Sequence, residues 1–368
     1  MKNMGKPKIL KAGYWKERLY QKSFKKFERV QDESVENYSE DILVVVGGGL
    51  GDTIMQLPVV LELMKNYKQG KVYVTMQARF TAHFHKMGIE TWDYTLSNNM
   101  MKRIKINKEF LNKVSFKTFK YVLHLGGHSD FLRINNLDKY IKTQFWIGSG
   151  SPLIGLSETL QKKTIQINEK SVLGDFRRYL SEVFKDEKYL SDFQFTIAWP
   201  EKEENRQEKY VVVGVGSSDR THILEVKKLV EFLNILLKRV PEYQFLLLGS
   251  GDEQEKYAER VVQALEKSNV VNMVNKSSLL NTFKLINGAE FFVGMDSGLY
   301  NVAAIIGRPT IGFFSHESKY EHKELKNVRT LVGSEKETEE KYEYGCAHIN
   351  SISGGQFITS GKELKIFK

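Results

Sequence analysis

The chain has 368 residues, a net charge of +10 and a single cysteine, Cys346. This length exceeds one ordinary core and predicts two domains, each large enough to fold without disulfides. One cysteine excludes an internal disulfide and a cysteine-based metal cluster, and it fits a reducing cytoplasm. No apolar run approaches the roughly 20 residues that span a bilayer, and the basic N-terminus lacks the apolar region of a signal peptide.

The first 30 residues carry most of the net charge, with ten Lys or Arg against two Glu, which gives +8. Five aromatic residues lie among these cations: Tyr14, Trp15, Tyr20, Phe24 and Phe27. We interpret residues 1–40 as a basic aromatic N-terminal extension that could lie on an anionic membrane surface, at the inner face of the cytoplasmic membrane. Two alternatives stay open: an arm for nucleic acid, a partner we do not expect, and a helix that caps the first domain with its aromatics turned inward.

Residues 41–198 follow the pattern of an α/β domain. An apolar strand at Ile42 to Val46 runs into a glycine turn, after which apolar residues repeat at helical spacing. Pro58 lies inside that helical run and predicts a kink or a restart of the helix. Further apolar runs predict strands at Val72 to Thr75, Tyr121 to Leu125 and Phe145 to Ile147.

Residues 199–210 combine Pro200 with a dense run of charges, which is typical of a linker between two cores. Beyond it, residues 211–335 alternate strands and helices, which predicts right-handed crossovers and a parallel sheet. The predicted strands are Val211 to Val215, Phe245 to Leu248, Val270 to Asn272, Phe291 to Val293 and Thr310 to Phe314. Ligands of such sheets bind beyond the carboxyl ends of the strands. Residues 336–368 are interpreted as a C-terminal tail on the surface.

The stretch from Val293 to Phe314 reads as a buried strand, an abrupt turn, a helix and a second strand. The first strand ends at Asp296, the helix begins at Ser297 and Gly298, and Gly307 marks its end. A helix start offers free backbone N–H groups and a positive partial charge, and small residues there let an anion approach closely. The pattern indicates a diphosphate site, with an ordinary ligand-free turn as the alternative.

The first glycine turn ends at Asp52, where a dinucleotide-binding dehydrogenase would have its third glycine. The next strand ends at Gln77 without the carboxylate that holds a ribose, so the pattern argues against a nicotinamide oxidoreductase. No Gly-Lys-Ser or Gly-Lys-Thr follows either turn, which excludes a nucleotide-triphosphate P-loop. Asp52 could accept a proton from a substrate hydroxyl, or it could simply cap the next helix.

Together the two turns resemble glycosyltransferase family 9, the lipopolysaccharide heptosyltransferase family, from about Ile42 to about Gly333. The resemblance rests on Gly49, Leu50, Gly51 and Asp52 followed by Pro58, and on Asp296, Ser297 and Gly298 followed by Ala303, Ala304, Gly307 and Pro309. It implies the GT-B fold, an α/β architecture in which two Rossmann-like domains with parallel sheets face each other across a cleft. The N-terminal domain would then bind the acceptor and the C-terminal domain the nucleotide-sugar donor.

The resemblance also implies an inverting, metal-independent transfer that needs no cofactor. The sugar, with a heptose expected, would move from a nucleoside-diphosphate sugar to a hydroxyl of a cell-envelope or capsular glycan, such as a lipid-linked acceptor. Many family members carry a His soon after the Asp-Ser-Gly element, and this chain has Asn301 there. Asn can donate a hydrogen bond but cannot become cationic. The alternative function is therefore a catalytically inactive module that only binds the nucleotide sugar.

Residue by residue, the resemblance makes Asp52 the catalytic base. Expected contacts to the donor diphosphate are Asp296, Ser297, Gly298, Leu299, Asn301, Arg220, Thr221 and Ser217, and expected contacts to the nucleoside are Gly249, Asp252 and Glu253. Expected acceptor-side residues are Gly49, Gly51, His128 and Arg133, and no residue is expected to bind metal. Structural roles without a ligand are the alternatives: Arg220 could pair with Asp219, and Asp252 or Glu253 could cap a helix.

Overall fold

The computed structural model describes residues 19–20, 22–24, 27, 37–126, 140–149, 164–201, 208–267, 269–318, 321–334 and 342–367. The chain divides into two compact units, each of which contains one six-stranded sheet. The first unit comprises residues 1–48, 59–168 and 178–189, and the second comprises residues 49–58, 169–177 and 190–368. The first glycine turn from Gly49 onward therefore packs with the second unit.

The sheet of the first unit is parallel throughout and has the strand order β3-β2-β1-β4-β5-β6. Its strands are β1 (Ile42–Val45), β2 (Val72–Gln77), β3 (Thr91–Tyr94), β4 (Thr118–His124), β5 (Lys142–Ser149) and β6 (Thr164–Ile167). The helices that lie wholly or partly in this unit are α1 (Leu50–Asn66), α2 (Ala82–Lys86), α3 (Met100–Val114), α4 (Val172–Phe184) and α5 (Tyr189–Asp192), with a 3-10 turn at Ala78–Phe80. Helices α1 and α4 begin in the second unit, and α5 begins in the first unit and ends in the second. This strand order is that of the Rossmann fold.

The sheet of the second unit is also parallel throughout, with the strand order β12-β11-β10-β7-β8-β9. Its strands are β7 (Tyr210–Gly214), β8 (Gln244–Leu248), β9 (Val270–Asn272), β10 (Phe291–Met295), β11 (Thr310–Phe314) and β12 (Val328–Val332). Its helices are α6 (Val226–Arg239), α7 (Asp252–Leu265), α8 (Leu279–Gly288), α9 (Gly298–Ile305), α10 (Ala347–Asn350) and α11 (Gly354–Glu363), with a 3-10 turn at Arg220–His222. If β7 to β12 are matched in chain order to β1 to β6, the second sheet has the same strand order as the first. The predicted α/β fold with two Rossmann-like parallel sheets is therefore confirmed.

The topology fixes where each unit offers a binding edge. In a Rossmann sheet the chain leaves the two central strands in opposite directions, and a crevice opens at their carboxyl ends. In the second sheet these central strands are β7 and β10. The turns after them carry Ser217 to His222 and Asp296 to Gly298. Ser217 and Asp296, which lie 79 positions apart in sequence (296 minus 217), are thus brought to the same edge of the sheet by the strand order.

Three aromatic residues of the N-terminal extension belong to the first core. Tyr20, Phe24 and Phe27 are at most 1% exposed and pack in a cluster with residues of the first sheet and α3. Tyr20 also accepts a hydrogen bond from the buried amide of Asn107 at 2.6 Å. For these three residues the inward-turned alternative holds, and they are not available to a membrane. Tyr14 and Trp15 lie outside the described residues.

Helix α1 runs from Leu50 to Asn66 without a restart at Pro58. Of the two alternatives predicted for Pro58, the restart is therefore wrong, and the kink stays a prediction. Leu57, Val59 and Val60 on either side of the proline are fully buried. Burial of this apolar stretch offsets the backbone hydrogen bond that a proline cannot make. Within the described part of the chain, none of the helices has the length and apolar character needed to cross a membrane.

The C-terminal region is not a surface tail where the structure describes it. Ile349, Ile352 and Phe357 are fully buried in the core of the second unit. Helix α11 starts with a capping box in which Ser353 and Gln356 bond each other's backbone N–H groups. Its apolar face packs on α6. The sequence misled us because a Glu and Lys run and several glycines precede an amphipathic helix of only ten residues.

Phe357 tests this correction, because its ring packs 5.0 Å from that of Phe232 and 5.9 Å from that of Phe313. We expect Phe357→Ala to lower the free energy of unfolding by about 3 to 5 kcal/mol, as for other buried Phe residues. Chemical denaturation monitored by circular dichroism measures this change. The matched control is Phe116→Ala, at a Phe that is 73% exposed, which should change stability by less than about 0.5 kcal/mol. Equal effects of the two substitutions would contradict the placement of this helix.

Candidate active site

The turn after β10 forms an uncapped helix start. The Asp296 N–H donates to the Phe313 carbonyl at 3.0 Å, which fixes the end of the strand. Ser297 is the N-cap residue of α9, but its side chain makes no capping bond. Its hydroxyl oxygen is buried and has no hydrogen-bond partner in the part of the chain that the structure describes. Buried polar groups are almost always paired. A free hydroxyl beside free backbone N–H groups is therefore the arrangement expected where an anion binds.

The first glycine turn packs directly against this helix start. A Cβ on Gly51 would lie 2.9 Å from the Gly298 Cα and 2.4 Å from Asn301 Nδ2, and a Cβ on Gly298 would lie 3.3 Å from the Gly51 backbone N. Carbon atoms cannot approach at such distances, so glycine is required at position 51. The starts of α1 and α9 thus touch through their backbones within the second unit.

Asp52 is half-buried in the first turn of α1. Its Oδ2 accepts a hydrogen bond of 2.6 Å from the Gly49 N–H. It therefore bonds the cap residue from inside the helix, as the acidic member of a capping box does, and is not the cap itself. Burial raises the pKa of the Asp52 carboxyl, and the Gly49 hydrogen bond lowers it in part. The second carboxylate oxygen remains available to a substrate.

Two histidines lie beside Asp296. His222 Nδ1 is 3.7 Å from Asp296 Oδ2, and the His222 and His316 ring centroids are 5.5 Å apart. Burial raises the pKa of the Asp296 carboxyl, while His222 and His316 lower it; the nearby charge of Asp52 is a smaller raising effect. The site therefore combines two carboxylates that sense each other with two imidazoles that can carry positive charge. Neither histidine was singled out from the sequence, because isolated histidines in loops carry no spacing signal.

Asn301 lies in the helix after the Asp-Ser-Gly element, as predicted, but it is nearly buried. Its side chain is only 6% exposed, and its Oδ1 lies 2.8 Å from His322 Nε2. The amide is thus held between His322 and Gly51, which leaves it little surface for a ligand. Leu299, also predicted to contact the diphosphate, lies in the first turn of α9 and is half-buried.

A cavity of about 220 Å³ opens beside the ends of β7 and β8. Its lining includes the polar or aromatic side chains of Ser217, Arg220, Asp252, Glu253 and Tyr344. The Arg220 guanidinium lies 5.1 Å from the Tyr344 ring centroid and 3.8 Å from the Glu253 carboxylate. The predicted alternative pairing of Arg220 with Asp219 is not found. Asp219 instead accepts from the Thr221 N–H and hydroxyl, at 2.9 and 2.8 Å.

Gln254 explains two glycines at this edge. A Cβ on Gly216 or on Gly249 would lie 2.0 or 2.4 Å from the Gln254 side chain. Gln254 Oε1 also accepts from the Ser250 N–H at 2.9 Å. The N-cap of α7 is Gly251, and no side chain caps it. Asp252 and Glu253 are thus not used as caps, and both are exposed to a ligand.

Three further residues were predicted on the acceptor side. Gly49 is exposed and lies in the glycine turn that carries Asp52, here called the base turn, whereas His128 and Arg133 lie outside the described residues. Tyr344 was missed because it falls in the region interpreted as a tail. In the described ranges, no three His, Cys, Asp or Glu residues are grouped so that they could hold a metal ion.

Two Rossmann-like parallel sheets, each followed at its crevice by a glycine-containing turn, define the architecture of GT-B glycosyltransferases. The sequence model of glycosyltransferase family 9 (heptosyltransferase) matches residues 151–350, more than half of the chain. The chain belongs to glycosyltransferase family 9, which confirms the resemblance.

Individual relatives agree with this family. The chain is 25% identical over 157 residues to lipopolysaccharide heptosyltransferase 1 of Campylobacter coli, a match that covers 42% of this chain and 45% of that protein. The aligned part thus spans less than half of that relative. Among solved structures, a family 9 glycosyltransferase from Veillonella parvula has a TM-score of 0.68 at 13% identity, covering 90% of this chain and 99% of that one. The E. coli ADP-heptose LPS heptosyltransferase II has a TM-score of 0.63 at 16% identity, with coverages of 88% and 98%.

The raised pKa of Asp296 has a consequence for stability. The folded protein holds this proton more tightly than the unfolded chain, so ionisation of Asp296 destabilises the fold as pH rises above the ordinary carboxyl range. We expect Asp296→Asn to raise the Tm at pH 7, with a gain that vanishes below about pH 4. Thermal unfolding over a pH series measures the gain.

The control for this prediction is Asp186→Asn. Hydrogen bonds from Lys188 lower the pKa of the exposed Asp186 carboxyl, so the sign reverses. Its contribution to stability is present at neutral pH and disappears as the carboxyl is protonated. Asp186→Asn should therefore lower the Tm slightly at pH 7. A lower Tm for Asp296→Asn at pH 7 would contradict the prediction.

Proposed function

We propose that this protein transfers a heptose from a nucleoside-diphosphate heptose, of the ADP-heptose kind used by the E. coli relative, to a hydroxyl of a cell-envelope glycan. One observation carries the proposal: Asp52 and Asp296, from turns 244 positions apart, lie close enough to sense each other's charge where two helix starts touch. Family membership supports the reaction class. The acceptor is expected to be lipid-linked or capsular, with its hydroxyl presented to Asp52.

Asp52 is the proposed base. Burial raises the pKa of its carboxyl, which makes the carboxylate a better proton acceptor than an ordinary aspartate. Its Oδ2 stays bonded to Gly49, while the other oxygen takes the proton of the acceptor hydroxyl. The acceptor oxygen forms a bond to the anomeric carbon as the bond to the phosphate oxygen breaks. The diphosphate leaves with that electron pair, and a single displacement of this kind inverts the anomeric configuration.

The leaving diphosphate gains negative charge as the bond breaks. The free N–H groups at the start of α9 and the Ser297 hydroxyl can donate hydrogen bonds to it. His222 and His316 lie beside the same turn and can supply positive charge. These groups support a transfer that needs no metal ion.

The nucleoside is proposed to occupy the cavity beside β7 and β8. The exposed carboxylates of Asp252 and Glu253 can accept hydrogen bonds from ribose hydroxyls, and Arg220 over Tyr344 offers a flat surface to a base. Ser217 and Thr221 lie on the turn between this cavity and Asp296. Cavity and helix start therefore accommodate the two halves of a nucleoside diphosphate.

Asp52→Asn tests the proposed base. We expect transfer from ADP-heptose to fall by about 10²- to 10⁴-fold, as is usual when a general base is lost. Binding of ADP should persist, because Asn keeps the size of Asp and can still accept the Gly49 hydrogen bond. Turnover is measured by release of ADP, and binding by calorimetry.

The control is Asp192→Asn, at an exposed carboxylate that the mechanism does not use, which should leave both quantities unchanged. Wild-type turnover in Asp52→Asn would remove Asp52 as the base. If the wild-type protein binds ADP-heptose but neither transfers nor hydrolyses it over a panel of acceptors, the inactive binding module is the better assignment.

Metal independence has its own test. We expect turnover to be unchanged after dialysis against EDTA and after addition of Mg²⁺, because backbone N–H groups and imidazoles replace the cation. Initial rates before and after chelation measure this. Loss of activity with EDTA and its return with a single metal would contradict the proposal.

A further inference from the structure

His322 is a buried histidine whose backbone conformation and unpartnered ring nitrogen are unfavourable for stability. It is 2% exposed, its φ of +54° lies in the left-handed region, and burial lowers its pKa to about 3. Because Asn301 Oδ1 can only accept, the Nε2 of His322 carries the proton and donates to it at 2.8 Å. The Nδ1 is then bare, buried and unpartnered among the described residues. Strained backbone and unpaired polar atoms of this kind gather at functional sites.

The surroundings of His322 hold its ring in one orientation. The Tyr300 ring lies parallel to it, with centroids 5.6 Å apart and an interplanar angle of 5°. Tyr300 in turn donates to the carbonyl of Glu321, at 2.5 Å. The imidazole therefore cannot rotate away from Asn301 without breaking this stack. Its one hydrogen bond fixes which way the Asn301 amide points.

The Asn301 amide meets the turn that carries the proposed base. With Oδ1 on His322, its Nδ2 faces Gly51 so closely that a Cβ there would be 2.4 Å away. Asp52 is the next residue along the chain. A change in the Asn301 amide would therefore shift the backbone that places the Asp52 carboxylate.

We propose that Asn301 and His322 form a positioning pair that sets the distance of the Asp52 carboxylate from the donor-binding turn at Asp296 to Gly298. This inference rests on the proposed function and refines it, since it gives Asn301 a role other than diphosphate binding. His322 acts only through Asn301, and Asn301 acts only through the backbone at Gly51. Neither side chain touches a substrate.

The main test compares Asn301→Ala and His322→Phe with the wild-type protein. His322→Phe keeps a ring beside Tyr300 but removes the donor. We expect both variants to lower kcat by about 10- to 100-fold, the usual effect of a small misplacement at a reacting centre. The Kd for ADP, measured by calorimetry, should stay within about twofold of wild type, because the helix start of α9 is untouched. His322→Gln, which restores an N–H near the Nε2 position, should recover most of kcat.

A second measurement does not depend on activity. Gly51→Ala should lower the Tm strongly, since its Cβ collides with both Asn301 and Gly298. In the Asn301→Ala background one of these collisions is absent, so the double variant should lose less than the sum of the two single losses. Additive losses would overturn the proposed contact.

Asn327→Ala is the matched control. Asn327 donates to Ala304 and Arg308 carbonyls at the other end of α9, at 3.0 and 2.9 Å, and does not contact the base turn. It should lower Tm while leaving kcat unchanged. Wild-type kcat in Asn301→Ala, or loss of ADP binding together with kcat, would overturn the inference. Absence of any transfer by the wild-type protein would instead overturn the proposed function, and the Tm comparison would still decide whether Asn301 sets the turn.

Discussion

The contact between Gly51 and Gly298 is the constraint on which the site depends. Both residues lie in the first turn of a helix, and no side chain separates them. Asp52 directly follows one glycine, and Asp296 lies two residues before the other. The spacing of the two carboxylates is thus set by a contact between two backbone segments. The geometry of such a contact varies less than that of contacts made through long side chains. Because both helices begin here, their N-terminal N–H groups converge as well.

This convergence creates an electrostatic problem that the histidines offset. A helix start favours negative charge, but two carboxylates and the proposed diphosphate together exceed what two helix starts can balance. Burial raises the pKa values of both carboxyls, so each binds a proton more readily than an exposed aspartate. His222 and His316 oppose this effect at Asp296 and can themselves become cationic. Charge balance at the site is therefore shared among four ionisable groups rather than assigned to one lysine or metal ion.

The sequence allowed the buried central strands to be predicted, but not most edge strands or several amphipathic helices. The central strands contain buried apolar runs, and these were predicted within a few residues of the strand ends. Three of the four edge strands were missed: β3, β6 and β12. These edge strands are only partly buried, so they lack an unbroken apolar run. The amphipathic helices α3, α4 and α11 were missed as well.

At the site, too, residues within local motifs could be predicted, whereas residues brought together only by the fold could not. Asp52 and Asp296 could be found because each stands in a glycine turn with a chemical meaning of its own. His222 ends the 3-10 turn after β7, whereas His316 and His322 lie in the connection between β11 and β12, and nothing in their spacing indicates that they come together. Asn301 shows the limit most clearly, since comparison with a family motif suggested a ligand contact. The structure instead places its amide between His322 and Gly51.

The costs gathered at this site argue that it is used. His322 with its bare imidazole nitrogen and φ of +54°, the unpaired Ser297 hydroxyl and the half-buried carboxylates of Asp52 and Asp296 all lie around the start of α9. A fold selected for stability alone would replace several of them at a gain. Locally unfavourable choices that support one another are expected where function demands a fixed geometry.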